Sequence, residues 1–327
     1  MRRVSGKNLS RIVAIAVLLI AMLAGCVIGR ISAKRQAMAD NGKADWQSDD
    51  EYWQDTVIYK GREYERNRDL ETVLFLGIDD TELAGEHIGE AGRSDVILLV
   101  IVDQKQHTMR MLEISRDTIT DIDVYDQMGE FLYTAHMQLC MQYSFGDSPE
   151  RSCYLTRNKV SQLLYGIPIN YCFSLDVGGI QPLLDEIGGI TVKMRVDCTD
   201  INPKYKQDAV VHMDGAEAEH FIRTRDTTHS GGNDQRMERQ NWFLLEVIRQ
   251  IQHNDKYSIT EMQDMASPYV VSDLDIFTLA LLRDSDMLED SVKVPGETRL
   301  GEVHDEYHVD DEALQALLIE LFYLPKQ

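Results

Sequence analysis

One unbroken apolar stretch, residues 12–29, constrains this chain before any other feature. Its eighteen residues read IVAIAVLLIAMLAGCVIG, with Arg2, Arg3, Lys7 and Arg11 ahead of it and Arg30, Lys34 and Arg35 behind. A helix of that length reaches roughly 27 Å, close to the ~30 Å thickness of a bilayer's hydrocarbon core. The sequence holds no second run of this kind, so a single span places everything after it on one side of the membrane. The early basic residues favour a cytoplasmic N-terminus and an extracytoplasmic bulk. A cleaved signal peptide fits less well, because its apolar core is usually about 7–15 residues. The tetrapeptide LAGC, residues 23–26, offers an alternative in which Cys26 is acylated and the preceding segment removed. Either route tethers the rest of the chain to the outer face of a membrane.

The chain as a whole is globular in composition, with 43% hydrophobic and 27% charged residues and only seven prolines. The 55 acidic and 33 basic residues give a net charge of −22, which argues against a nucleic-acid partner because counterion release needs a basic face. Any anion must then be held by a local cluster. The five cysteines, at 26, 140, 153, 172 and 198, show no metal-binding spacing. Cys140 and Cys153 could close a loop in an exported domain, and buried free thiols at Cys140, Cys153, Cys172 and Cys198 are an equal reading.

Residues 1–31 read as a cytoplasmic tip and transmembrane helix, and residues 32–68 as a polar extracytoplasmic spacer. Residues 69–252 read as the catalytic domain and residues 253–327 as its C-terminal helical elaboration. Within the domain, TVLFLGID (72–79), SDVILLVIVD (94–103) and TMRMLEIS (108–115) predict buried strands, the last two joined as a hairpin by QKQH. Helical spacing predicts helices over 154–164, 177–187, 214–222, 236–252, 274–282 and 311–322, with strands at 171–175 and at ITVKMRV. The expected fold class is therefore α/β, a central mixed β-sheet with helices on both faces.

Three polar signatures stand at strand ends. GID places Asp79 after the first strand, RSD places Arg93 and Asp95 at the entry to the second, and SRD places Ser115, Arg116 and Asp117 at the exit of the third. Hairpin strands run in opposite directions, so the second and third signatures share one edge of the sheet. The first joins them only if its strand is also antiparallel to the second. A further cluster lies in HFIRTRDTTHSGGNDQRMERQ (220–240), where Arg223, Arg225, Arg236 and Arg239 occur without lysine. Arginine alone suggests forked recognition of phosphate or carboxylate, against the alternative of a solvated helix face. Two aspartates and several arginines are the inventory of a pyrophosphate site, since Mg²⁺ takes one or two carboxylates and completes its shell with phosphate oxygens.

The ordered motifs VLFLGID, GRSDVILLVIV, MLEISRDTITDI, DVGGIQPLLDEIGGITVKM, MDGAEAEHFIRTRD and DQRMERQ resemble those of the LytR-CpsA-Psr (LCP) cell-wall ligases, over about residues 72–251. The resemblance implies an α/β/α sandwich with a lipid-binding tunnel. It also implies an Mg²⁺-dependent transfer of a glycopolymer, such as teichoic acid or capsular polysaccharide, from a polyprenyl pyrophosphate carrier to peptidoglycan. By the same resemblance Asp79 and Asp95 would hold the metal and act with Arg93 and Arg116 as the catalytic group. Arg116, Arg223, Arg225, Arg236, Arg239 and Gln240 would contact the pyrophosphate. Asp234 joins that set one place after the family's usual aspartate position, which Asn233 occupies. Two further departures are Ser115 in place of the usual proline before Arg116 and the long insert at 80–92, which implies a remodelled rim. The runner-up readings are a polyprenyl pyrophosphate hydrolase, with water as acceptor, and a non-catalytic scaffold that binds lipid-linked intermediates.

Overall fold

The computed structural model describes residues 55–79, 88–89, 92–224, 239–240, 242–243, 246, 267–288, 292–301 and 304–326. The expected span at 12–29, with Cys26, lies outside them. Among the described residues no helix is long and apolar enough to cross a membrane.

The long apolar runs form the centre of a mixed sheet. Strands β3 (Leu70–Ile78), β4 (Ser94–Asp103) and β5 (Thr108–Glu113) pair antiparallel in sequence order, and β8 (Tyr171–Asp176) pairs parallel to β3. These strands read as unbroken apolar runs because both faces of the sheet are covered. On one face Leu74, Leu76, Ile97, Leu99 and Leu112 pack against Val160 and Leu164 at the end of helix α1 (Pro149–Leu163) and against Leu314 and Leu318 of α5 (Asp311–Phe322). On the other, Phe75, Leu98, Met111 and Phe173 pack with Leu282 of α4 (Ile276–Asp284) and, partly exposed, Leu183 of α2 (Ile180–Ile187). Each fully buried leucine contributes about 1.5–3 kcal/mol relative to leaving it in water.

Helix α1 begins five residues before the predicted start at 154. Ser148 caps it by accepting the Arg151 amide, and Pro149 fills the first turn. That turn is polar, so apolar spacing alone locates only the later turns. Gly188 and Gly189 close α2 with φ of 90° and 82°, a conformation that favours glycine. A third apolar cluster forms where α2 meets helix α3 (Gly215–Arg223) and the hairpin of β9 (Ile190–Lys193) with β10 (Val210–Met213), around Tyr205, Phe221, Trp242 and Phe243.

Two expectations are corrected and one open choice is decided. The end of the expected spacer is folded: β1 (Thr56–Tyr59) and β2 (Arg62–Arg66) form a sheet with β16 (Tyr323–Pro325). The charged positions of β2 disguise a strand paired with β16 across almost the whole chain. The region after 253 is not only helical. Its β11 (Val270–Ser272) joins the central sheet at β8, its β12 (Asp286–Met287) and β13 (Val292–Lys293) extend β5, and β14 (Gly296–Leu300) pairs with β15 (Asp305–Val309). Finally, Cys140, Cys153, Cys172 and Cys198 are all buried free thiols, so the Cys140–Cys153 loop closure is not formed.

Candidate functional site

Because β3 is antiparallel to β4, the condition for convergence of the three signatures holds. A register shift at Gly77 and Ile78 lets the end of β3 meet the start of β4, with Ile78 opposite Ser94. Gly77 permits this approach, since a Cβ there would lie 3.0 Å from the Cβ of Val96. One residue further on, the Asp79 amide donates to the Arg93 carbonyl at 3.1 Å, and Asp79 Oδ1 accepts the Arg93 amide at 2.8 Å. The two loop ends are thus clasped, with Asp79 and Arg93 both exposed at the edge.

The third signature is a turn rather than a continuation of β5. The Ser115 carbonyl accepts from the Thr118 amide at 3.1 Å and the Thr118 hydroxyl at 2.7 Å, and Ser115 Oγ accepts the Asp117 amide at 3.3 Å. The turn swings Arg116 back toward the start of β4, where its guanidinium pairs with Asp95. Both side chains are nearly buried, 10% and 12% exposed. Arg116 Nε also faces Asp117 Oδ1 at 3.5 Å, and Asp117 is held by Gln138 Nε2 at 2.6 Å. Gln138 ends β7 (Phe131–Gln138), the partner of β6 (Ile119–Tyr125) in a hairpin that sequence patterning does not reveal. The adjoining 3-10 turn, Leu139–Phe145, fastens the Ser115–Thr118 turn through Leu139 N to Thr118 O at 2.8 Å and Cys140 N to Arg116 O at 3.1 Å.

The structure therefore brings Asp79, Arg93, Asp95 and Arg116 to one end of the sheet. Arg223, Arg239 and Gln240 form a second group, built on the third apolar cluster. Arg223 is the last residue of α3 and pairs with Glu219 one turn earlier at 2.9 Å. Arg239 donates to the Thr224 carbonyl that caps this helix, and its guanidinium lies 5.4 Å from the centre of the Phe221 ring. Gln240 Nε2 donates to the Ile222 carbonyl at 3.1 Å. Arg225, Asp234 and Arg236 lie outside the described residues, as does most of the insert at 80–92 and most of the predicted helix at 236–252.

Among the described residues no group of three or more histidine, cysteine, aspartate or glutamate side chains could cage a metal. Asp79 and Asp95, on neighbouring strand ends, fit a cation that needs one or two carboxylates and takes its other ligands from phosphate and water. Sequence reasoning passed over Gln138 and Cys140, which touch the site only through contacts between distant segments.

The LytR_cpsA_psr family model matches residues 29–321. A curated relative from Bacillus subtilis, the polyisoprenyl-teichoic acid–peptidoglycan teichoic acid transferase TagV, is 30% identical over 183 residues, 54% of this chain and 42% of that one. A transferase of the same description, TagU from Halalkalibacterium halodurans, is 27% identical over 179 residues, 55% of this chain and 52% of its own. The chain thus spans about half the length of the curated relatives it matches. The crystal structure of B. subtilis TagV superposes with a TM-score of 0.56 at 25% identity, covering 78% of this chain and 96% of that one. TagT solved bound to LIIa-WTA has the same fold, with a TM-score of 0.56 at 20% identity over 78% of this chain and 90% of that one. With three of its family motifs meeting at one sheet edge and the family model spanning both the sheet and its C-terminal strands, this chain belongs to the LytR-CpsA-Psr family.

Proposed function

We propose that this protein is an extracytoplasmic, membrane-tethered phosphotransferase that moves a glycopolymer from a polyprenyl pyrophosphate carrier to peptidoglycan. The observation that carries this reading is the convergence of Asp79, Arg93, Asp95 and Arg116. The names of the transferase relatives support it.

In the reaction an acceptor sugar hydroxyl attacks the glycopolymer-linked phosphorus. A new P–O bond forms, the bond to the bridging oxygen breaks, and polyprenyl phosphate leaves. The hydroxyl proton passes to a carboxylate of the strand-end group, Asp79 or Asp95. Such transfers need positioning and charge neutralisation more than covalent help. Arg116 is held rigidly by side chains from several segments, so it meets the developing phosphate charge with little reorganisation. Arg93 is exposed beside it and reaches the same anion, with Arg223, Arg225 and Arg236 completing the clamp. Mg²⁺ would be held by Asp79 and Asp95 and would neutralise phosphate charge. The polyprenyl chain is assigned to the sheet face that carries Val96, Val100 and Leu175, which are partly exposed and begin one residue after Asp95.

The test is to incubate the full chain in detergent with a polyprenyl pyrophosphate-linked glycopolymer, peptidoglycan and Mg²⁺, tracking both polymer attached to peptidoglycan and polyprenyl phosphate released. Equal appearance of the two is expected, and EDTA should stop both. Release without attachment would make the protein a hydrolase, and binding without either product would make it a scaffold. Protease added to spheroplasts should digest the bulk of the chain, and full protection would overturn the proposed topology. Fatty-acid labelling at Cys26 would replace the transmembrane helix by a lipid anchor.

A further inference from the structure

Among the described residues Cys140 is the one thiol that touches the strand-end group, and the proposed chemistry gives it no part. It is fully buried at the start of the 3-10 turn. Its Sγ accepts a hydrogen bond from Arg116 Nη2 at 3.3 Å, and its amide donates to the Arg116 carbonyl at 3.1 Å. Its own carbonyl accepts from Ser94 Oγ at 3.5 Å, on the residue beside Asp95. One residue therefore grips Arg116 at both ends and is tied to the strand that supplies the partner carboxylate.

We infer that Cys140 is a positioning residue for Arg116, its sulfur holding one arm of the guanidinium so that the fork stays aimed at the pyrophosphate. The inference rests on the proposed role of Arg116 and deepens it. Asp95 and Asp117 already face this guanidinium. A third carboxylate would over-neutralise it and weaken its pull on phosphate. A thiol orients the same nitrogen without adding charge: burial pushes the Cys140 thiol up, against the opposing pull of Arg116, and keeps the sulfur protonated at neutral pH. Sulfur is a weak acceptor, so the contact acts through direction rather than strength. Serine keeps an acceptor at this place, whereas alanine and valine do not.

The test is a double-mutant cycle on the full chain in detergent, with farnesyl pyrophosphate as the titrated probe and thermal melting as the control for folding. Arg116→Ala should weaken binding strongly. Cys140→Ala should weaken it ~tenfold in the native background, the equivalent of ~1.4 kcal/mol. In the Arg116→Ala background the same change should alter affinity by less than about twofold, because the contact it removes is already gone. Cys140→Ser should stay near the native affinity. Should Cys140→Ala fail to fold, Cys140→Ser and Cys140→Val separate acceptor from volume in the same cycle, with only valine weakening binding. An equal loss from Cys140→Ala in both backgrounds, or no loss in either, would show a core-filling residue and overturn the inference. A native affinity for Arg116→Ala would instead overturn the pyrophosphate reading itself, and this inference with it.

Discussion

Arg116 and Arg239 are buried to the same degree, each 8% exposed, and each meets a buried thiol, Cys140 and Cys198 respectively, yet their other partners differ in kind. Arg116 stands at a sheet edge among carboxylates and a thiol contributed by separate segments. Arg239 donates to the carbonyl of Thr224, the residue that caps α3, and covers the Phe221 ring. The first arrangement gathers charged side chains where strands end. The second completes a helix terminus, where a cation satisfies orphan carbonyls and the helix dipole favours it. Burial of an arginine therefore does not identify a ligand clamp; the nature of the group that holds it does.

The largest effects should fall on the strand-end group. Arg116→Lys keeps the charge but loses the fork, and Asp95→Asn keeps the shape but loses the charge. Each should lower transfer ~10²–10³-fold, the usual cost of removing one preorganised electrostatic contact at a phosphoryl or acyl centre. The isosteric asparagine is the better test at position 95. Asp95→Ala would leave Arg116 without its carboxylate in a nearly buried place, and breaking such a pair costs about 3–5 kcal/mol of stability. Turnover measured beside a melting curve separates the two consequences. Native turnover in Arg116→Lys would move the chemistry away from this edge.

Arg239 should give the opposite signature, a loss of stability larger than its loss of binding. A charge-assisted hydrogen bond contributes about 1.5–3 kcal/mol and a buried cation–π contact about 0.5–2 kcal/mol, so Arg239→Ala should lower unfolding stability by roughly 2–5 kcal/mol. Urea unfolding of the full chain measures this. Weakened farnesyl pyrophosphate binding at unchanged stability would return Arg239 to the clamp that the family resemblance implies.

The parts of this architecture that sequence shows are those whose cause is local. The run SDVILLVIVD gives β4 with both boundaries, and the period of residues 311–322 gives α5 likewise, because burial on both sheet faces or along one helix face writes itself into adjacent residues. The charged strand REYER gives no such signal, since it pairs with Tyr323–Pro325 at the far end of the sequence, and the four-residue TVIY that pairs with it is too short to carry one. At the site, Asp79, Arg93, Asp95 and Arg116 were legible because strand ends carry them. What holds Arg116 was not: Gln138 and Cys140 come from a hairpin and a 3-10 turn whose approach depends on long-range packing. Asp117 was visible in SRD, but nothing local distinguishes a buried carboxylate locked by Gln138 from a turn residue.

Arg223 provides the finest division between the two groups, because it sits on the helix that Arg239 closes while its side chain is exposed. Its contact with Glu219 spans one helical turn at the surface, and such pairs contribute about 0.3–0.5 kcal/mol that salt screens away. Arg223→Lys should therefore leave the melting curve unchanged, since lysine retains the charge and the spacing to Glu219. Its effect on ligand should be larger. If Arg223 reaches across to the pyrophosphate held at the strand ends, loss of the fork removes a charge-assisted bond and weakens farnesyl pyrophosphate binding ~tenfold. Arg62→Lys, on β2 in the small sheet closed by Tyr323–Pro325, serves as the control. Equal affinity for the two variants would assign Arg223 to the helix surface alone and confine the clamp to Arg93 and Arg116 among the described arginines. A tenfold gap with no change in melting would make α3 a carrier of the site, with Arg239 fixing its end and Arg223 using it.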